Sequence, residues 1–230
     1  MSRPKPSRRP VPAAPEEVAA AAPSGRQAWL ALVVMGVLIL AVAGLGELVN
    51  KALEPAVPSA LAHCTTSTQI GPHEYLGPQP MCITGSQKLQ ATVSTTQGDF
   101  VIDLAPEVAP VTVNNFVVLA IHGYYNGLNF WKSEDWVVQG GDPRGDGRGG
   151  PGYNLPDETT ATSWGLGAVG MARPPAGPVN GSQFFVQKAP WPEPGPSQVY
   201  NRFGTVISGM DKVQQLTSTD TIKSITIKVS

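Results

Sequence analysis

From Lys88 to the C-terminus the chain alternates between apolar and polar residues. Leu89, Ala91 and Val93 are separated by Gln90, Thr92 and Ser94, the period of a strand with one buried face. Gln97-Gly98-Asp99 reads as a turn, after which Phe100, Ile102 and Leu104 alternate again, so the two runs predict a β-hairpin. Pro110 opens a predicted helix reaching about His122, with Val113, Phe116, Val117 and Ala120 on its buried face and Gly123 as its stop. Short strands are expected at 128–132, 136–140, 166–172, 183–187 and 203–207, and Ile225 to Val229 alternates as a last one. Short strands joined by Gly- and Pro-rich loops, with one or two helices, point to a mainly β, closed barrel over 88–230.

The N-terminal part follows other patterns. Residues 1–27 are rich in Pro and Ala, with Arg3, Lys5, Arg8, Arg9 and Arg26 against Glu16 and Glu17, and bury too little to offset their ordering entropy; a disordered tail is expected. Residues 28–46, AWLALVVMGVLILAVAGLG, carry no charge, and as a helix they span roughly 28 Å, close to the hydrocarbon thickness of a bilayer. This predicts a transmembrane helix that makes the lipid bilayer a partner. The basic residues lie upstream, so the positive-inside rule keeps the N-terminus cytoplasmic and exports the rest as a single-pass membrane protein. Ala41-Val42-Ala43 resembles a signal-peptidase site, which leaves secretion after cleavage as the alternative. Residues 47–87, with Pro55, Pro58, Pro72, Pro78 and Pro80, read as a linker; Cys64 and Cys82 inside it are expected to form a disulfide outside the cytoplasm. His63 and His73 lie nearby, but the four side chains follow no zinc spacing.

Composition narrows the picture. Sixteen Lys plus Arg against seventeen Asp plus Glu give a net charge of −1, without the basic clusters of a nucleic-acid-binding surface. With 25 Gly and 23 Pro among 230 residues a helix bundle is excluded, while 41% hydrophobic residues still allow a core. Gly145 to Gly150 matches a dinucleotide fingerprint in form only, because Pro151-Gly152 follows where a helix is needed. Ser182 has no nucleophile-elbow setting, and Asp142, Asp146, Asp157 and Glu158 sit in loops without calcium-loop spacing. No metal or cofactor is expected.

Five longer strings carry the chemistry: Phe130 to Tyr153 (FWKSEDWVVQGGDPRGDGRGGPGY), Gly167 to Pro174 (GAVGMARP), Val179 to Gln187 (VNGSQFFVQ), Pro190-Trp191, and Tyr200 to Asp211 (YNRFGTVISGMD). In this order and spacing the chain resembles the cyclophilin family of peptidyl-prolyl cis–trans isomerases over residues 88–230. The resemblance implies an eight-stranded closed β-barrel capped by two helices, with its groove on the outer face and proline-containing polypeptides as substrates. It places Phe185, Trp136 and Val137 in an apolar pocket, and Gln139 and Gln183 on the peptide backbone. Ala172, Trp191 and Tyr200 take groove positions, and cyclosporin-like molecules become candidate ligands. Such an enzyme favours the twisted amide, whose prolyl nitrogen gains a lone pair that a cationic donor stabilises.

Three positions depart from the family pattern. Lys132 stands where the family has the donor Arg, and the stretch from it to Gln139 is one residue short. Arg173 replaces a backbone-binding Asn, and Pro192 follows the rim tryptophan. An ammonium is a point charge rather than a planar fork of donors, so the resemblance admits two readings. One is an isomerase of exported proteins with Lys132, Gln139 and Phe185 as its catalytic residues. The other is a weak or inactive proline-peptide-binding module.

Overall fold

The protein is represented by a computed structural model that describes residues 56–158, 164–193, 195–196 and 199–230. The tail 1–27, the apolar segment 28–46 and residues 47–55 lie outside the described residues. Among those described, no helix is long and apolar enough to cross a membrane.

The described chain begins with a segment stapled by a Cys64–Cys82 disulfide. It carries a small hairpin of β1 (Gln69–Gly71) and β2 (Glu74–Tyr75). The predicted long hairpin follows as β3 (Leu89–Thr95) and β4 (Gly98–Leu104), in register from Leu89↔Leu104 to Thr95↔Gly98. Its alternate residues, from Leu89 to Val93 and from Phe100 to Leu104, are buried. Helix α1 (Pro110–Ile121) starts with Pro at its first turn, where an N–H would be unpaired anyway. Its first free N–H groups, on Val111 and Thr112, instead donate to the two carboxylate oxygens of Glu158, each at 2.7 Å. Every residue from Thr112 to Ala120 is buried, so the helix is inserted rather than laid on a surface by one face. Phe116 reaches the Phe203 and Phe184 rings at 5.1 and 5.6 Å.

The remaining elements are β5 (Lys132–Ser133), β6 (Val137–Gly140), β7 (Asn154–Leu155), β8 (Ala168–Met171), β9 (Val179–Asn180), β10 (Phe184–Gln187), β11 (Arg202–Ser208), α2 (Met210–Gln215) and β12 (Ile222–Val229). Eight strands form one antiparallel sheet in the order β12-β3-β4-β11-β8-β10-β6-β5. The expected closed barrel is a curled half-barrel, because the ladder ends at β12 on one side and β5 on the other and no strand pairing among the described residues joins these two. The seam is bridged by the backbone just ahead of β5. Asn129 pairs with Thr221, Phe130 N–H donates to Asp220 O at 3.0 Å, and Ile222 N–H donates to Leu128 O at 2.8 Å. The strand expected at 128–132 is therefore divided between this bridge and β5.

Residues 56–87 do not behave as a linker. Leu61, Cys64, Tyr75 and Ile83 are buried in the main core. The buried Asn114 of α1 accepts the Cys82 N–H at 2.8 Å and donates to Pro80 O at 2.9 Å, so this irregular backbone keeps its hydrogen bonds inside the protein. His63 Nε2 donates to Cys82 O at 2.9 Å, and His73 stands edge-on to Tyr124.

Asp220 ties the seam. Its Oδ1 accepts from Thr96 Oγ1 and Gln97 Nε2 at 2.6 and 2.9 Å, while Oδ2 accepts Thr217 N–H and Oγ1 at 2.8 Å each. Burial alone would raise this carboxyl, but the hydrogen bonds from Thr96, Thr217 and Gln97 outweigh it and hold the pKa below the ordinary aspartate value. A depressed carboxyl contributes stability above the unfolded-state pKa of about 3.9, and that contribution is lost as pH falls through the folded value. Chemical denaturation followed from pH 7 into the acid range should show a falling midpoint that Asp220→Asn flattens. An equally steep acid limb in the variant would remove Asp220 from this role.

Candidate active site

β6, β8 and β10 build the site on the outer face of the sheet. In β10, Phe184 and Val186 enter the main core, so Phe185 between them faces outward. Register places Phe185 opposite Gln139 of β6 and Gly170 of β8. Val137, Ala172 and Phe185 form a second apolar cluster separate from the core, and Trp136, Trp164, Trp191 and Tyr200 pack around it. The Tyr200 and Trp191 rings stand at 82° and 80° to Phe185, at centroid distances of 5.4 and 5.9 Å. Above this floor is an open groove of about 500 Å³, within the usual range for ligand sites. All ten expected groove residues line it: Lys132, Trp136, Val137, Gln139, Ala172, Arg173, Gln183, Phe185, Trp191 and Tyr200.

The polar residues differ in how free they are. Gln183 is fully used: its Oε1 accepts from Gln139 Nε2 at 2.9 Å and Trp131 Nε1 at 3.1 Å. Its Nε2 donates to Gly149 O and Gly147 O at 2.7 and 3.1 Å. Gln183 therefore anchors the 147–149 loop. Gln139 is only partly used: among the described residues its side-chain carbonyl has no partner, so its amide has capacity left for a peptide backbone. Arg173 is committed to the protein as well. Its guanidinium donates to Gly177 O, Asp157 Oδ1 and Val199 O at 2.8, 2.8 and 3.0 Å, which straps the 174–177 turn to the groove wall.

Lys132 stands opposite Gln139 in the β5–β6 ladder. Its ammonium lies 3.1 Å from Glu134 Oε1 and 5.9 Å from the Trp136 ring centroid, with both ionic side chains more than a third exposed. The cation is thus at the rim, over a groove-wall indole, and held by a surface ion pair. β5 itself is pinned from behind: Ser133 Oγ donates to Leu216 O at 2.9 Å, and Lys188 Nζ donates to Ser133 Oγ and Leu216 O at 2.9 and 2.8 Å. Burial lowers the Lys188 pKa, against the opposing pull of Asp135 and Asp220.

Two aromatic residues of the site escaped the sequence reading. Trp131 contributes the indole N–H to Gln183, and only its place between Phe130 and Lys132 hinted at this. Trp164 packs on Phe185 at 5.3 Å, filling the space that Gly170 leaves. A Cβ at Gly170 would lie 2.6 Å from Trp164 Cη2 and 2.8 Å from Phe185 Cζ. No periodicity around Trp164 signals this contact.

An outward apolar notch, an amide with spare hydrogen-bonding capacity and a cation at the rim thus stand side by side in one open groove. Comparison with known proteins makes the class definite. The family model described as cyclophilin type peptidyl-prolyl cis-trans isomerase/CLD matches residues 90–229. The chain is 39% identical over 130 residues to peptidyl-prolyl cis-trans isomerase B of Bacillus subtilis, covering 55% of this chain and 88% of that one. It is 36% identical over 137 residues to a peptidyl-prolyl cis-trans isomerase of Arabidopsis thaliana, covering 57% and 82%. A crystal structure of a Cryptosporidium parvum cyclophilin-type isomerase superposes with a TM-score of 0.56 at 28% identity, over 62% of this chain and 98% of that one. The chain belongs to the cyclophilin-type peptidyl-prolyl cis–trans isomerases.

Proposed function

We propose that the groove isomerises X–Pro bonds of exported or envelope proteins by stabilising the amide in its twisted state. The barrier comes from the partial double bond and is about 20 kcal/mol, while the two isomers differ by about 0.5–1 kcal/mol. The site therefore has to bind the intermediate geometry better than either planar form. Phe185, Val137 and Ala172 receive the proline ring, and Trp136, Trp191 and Tyr200 wall it in. Gln139 holds the peptide backbone through its spare amide capacity. Lys132 donates to the prolyl nitrogen as that atom becomes pyramidal, a bond that strengthens only along the rotation. The convergence of the ten side chains on one outward groove carries this reading. A related Cryptosporidium parvum cyclophilin, with a TM-score of 0.55, was crystallised in the presence of the dipeptide Ala-Pro. Cyclosporin-like ligands belong to the same proposal, since Trp191 stands at the rim.

The cellular setting is part of the proposal. The uncharged run 28–46 anchors the chain in the membrane, and the upstream basic residues keep the N-terminus cytoplasmic. The Cys64–Cys82 disulfide suits an oxidising compartment on the far side.

The ion pair to Glu134 favours a second reading, a groove that binds proline peptides without turning them over. Exposed pairs of this kind are worth about 0–1 kcal/mol, so releasing the ammonium toward a substrate costs little. For the full chain acting on an X–Pro peptide, Glu134→Gln should raise kcat/KM about two- to threefold by freeing the cation. A wild type that binds the peptide but gives only the uncatalysed rate, and gains turnover with Lys132→Arg, would establish the binding module instead.

A further inference from the structure

Next to the groove lies a second depression of about 460 Å³, and the two share Arg148, Asn154 and Asn180 as common walls. Its far wall is Pro72 and His73, the turn of the β1–β2 hairpin, with Glu74 at the start of β2. These residues precede the stretch 90–229 matched by the family model, so this wall lies outside the family-matched domain. The hairpin is seated firmly: Tyr75 N–H donates to Pro151 O at 2.9 Å, and the His73 ring stands edge-on to Tyr124 at 5.0 Å.

The basic side chains around the two depressions are unequal. Lys132 pairs with Glu134, Arg144 with Asp146 and Arg173 with Asp157, at 3.1, 3.3 and 2.8 Å. The Arg148 guanidinium, exposed at the junction, forms no ion pair among the described residues; its backbone N–H donates to Asp146 Oδ1 at 2.9 Å, and the other carboxylate of the second depression is Glu74 on the far wall. The Arg148 backbone is nonetheless fixed. Buried Asp142 accepts the N–H groups of Arg144, Asp146 and Gly147, Gln183 holds Gly147 O and Gly149 O, and Asn180 Nδ2 donates to Gly149 O at 3.0 Å. Because the loop backbone is already fixed, an anion brought by a ligand has only the Arg148 side chain left to order.

We infer that the hairpin turn extends the groove into a two-compartment site for an extended polypeptide, in which Arg148 selects an Asp or Glu side chain close to the X–Pro bond. This inference rests on the isomerase reading and adds the substrate class. The test uses the full chain and peptides of one X–Pro core with Gln, Glu or Lys scanned over the flanking positions on both sides. At one position kcat/KM should favour Glu over Lys by about tenfold at low ionic strength, since attraction and repulsion both contribute, and salt should shrink the ratio. Arg148→Glu should invert that preference, and Arg148→Lys should keep it. The same Glu-to-Lys ratio in wild type and Arg148→Glu would overturn the selection by Arg148. Backbone amide shifts at His73 and Glu74 should appear on titration with the long Glu peptide and not with a dipeptide; perturbation confined to the Phe185 groove would overturn the second compartment. Absence of turnover for every peptide would count against the isomerase reading alone, because the titration still reports compartment and charge preference.

Discussion

Phe185→Ala is expected to lower kcat/KM on an X–Pro peptide by at least about a hundredfold, equivalent to about 2.7 kcal/mol of lost transition-state binding. Phe185 is 3% exposed, yet it lies in the outer cluster with Val137 and Ala172, apart from the main core. Its removal empties the floor of the notch, where the proline ring has to be buried, while Phe184 and Val186 still anchor β10 inside. Truncating a buried Phe costs about 3–5 kcal/mol of stability, so the variant needs a thermal melt alongside the kinetics. Phe185→Leu keeps an apolar floor and should recover most of the activity. An Ala variant that is folded and within threefold of wild type would take Phe185 out of the site.

Lys132→Ala should reduce kcat at least about tenfold, or about 1.4 kcal/mol, with little change in KM. That division follows from the role assigned to the ammonium, which gains strength only when the prolyl nitrogen acquires its lone pair. A loss seen mainly in KM would instead mean that Lys132 binds the ground state. Lys132 is more than a third exposed and its ion pair with Glu134 is a surface one, so no global destabilisation should accompany the change. Lys132→Arg should match or exceed wild type, because a planar fork of donors reaches more directions from the same strand position. Steady-state kinetics of the three proteins on one peptide decide between these outcomes.

Much of this architecture was legible because the relevant signals are local. The alternation from Leu89 to Leu104 became β3 and β4, although the turn between them is Thr96-Gln97 and the expected turn residues Gly98 and Asp99 pair within β4; Pro110 and Gly123 bracket α1. The site residues came from strings rather than from periodicity. Lys132, Val137, Gln139 and Phe185 lie on the neighbouring strands β5, β6 and β10, and Trp136, Ala172, Arg173 and Gln183 flank β6, β8 and β10, so the sheet brings these together, while Trp191 and Tyr200 arrive on the connection to β11. Long-range features were hidden. Leu61, Cys64, Tyr75 and Ile83 have no common period, and a Pro-rich context disguised them; a partner such as Asn114 reveals itself only in three dimensions. The seam likewise depends on backbone bonds between residues near 129 and 221, far apart in the chain. Arg173 illustrates a third limit: sequence placed it at the groove, but only the surrounding carbonyls and Asp157 show that its donors are committed to the protein.

The rate at which a bound peptide changes isomer tests the isomerase reading most directly. Two-dimensional NMR exchange on the full chain, with an X–Pro peptide in excess, reads cis–trans interconversion without any coupled protease. Free peptide exchanges over tens to hundreds of seconds. With catalytic amounts of the wild type, cross-peaks between the isomers should grow in on a sub-second timescale, a gain of at least about a thousandfold or about 4 kcal/mol, and should weaken in Phe185→Ala and Lys132→Ala. Peptide signals that broaden through binding while the isomers remain unexchanged would contradict it.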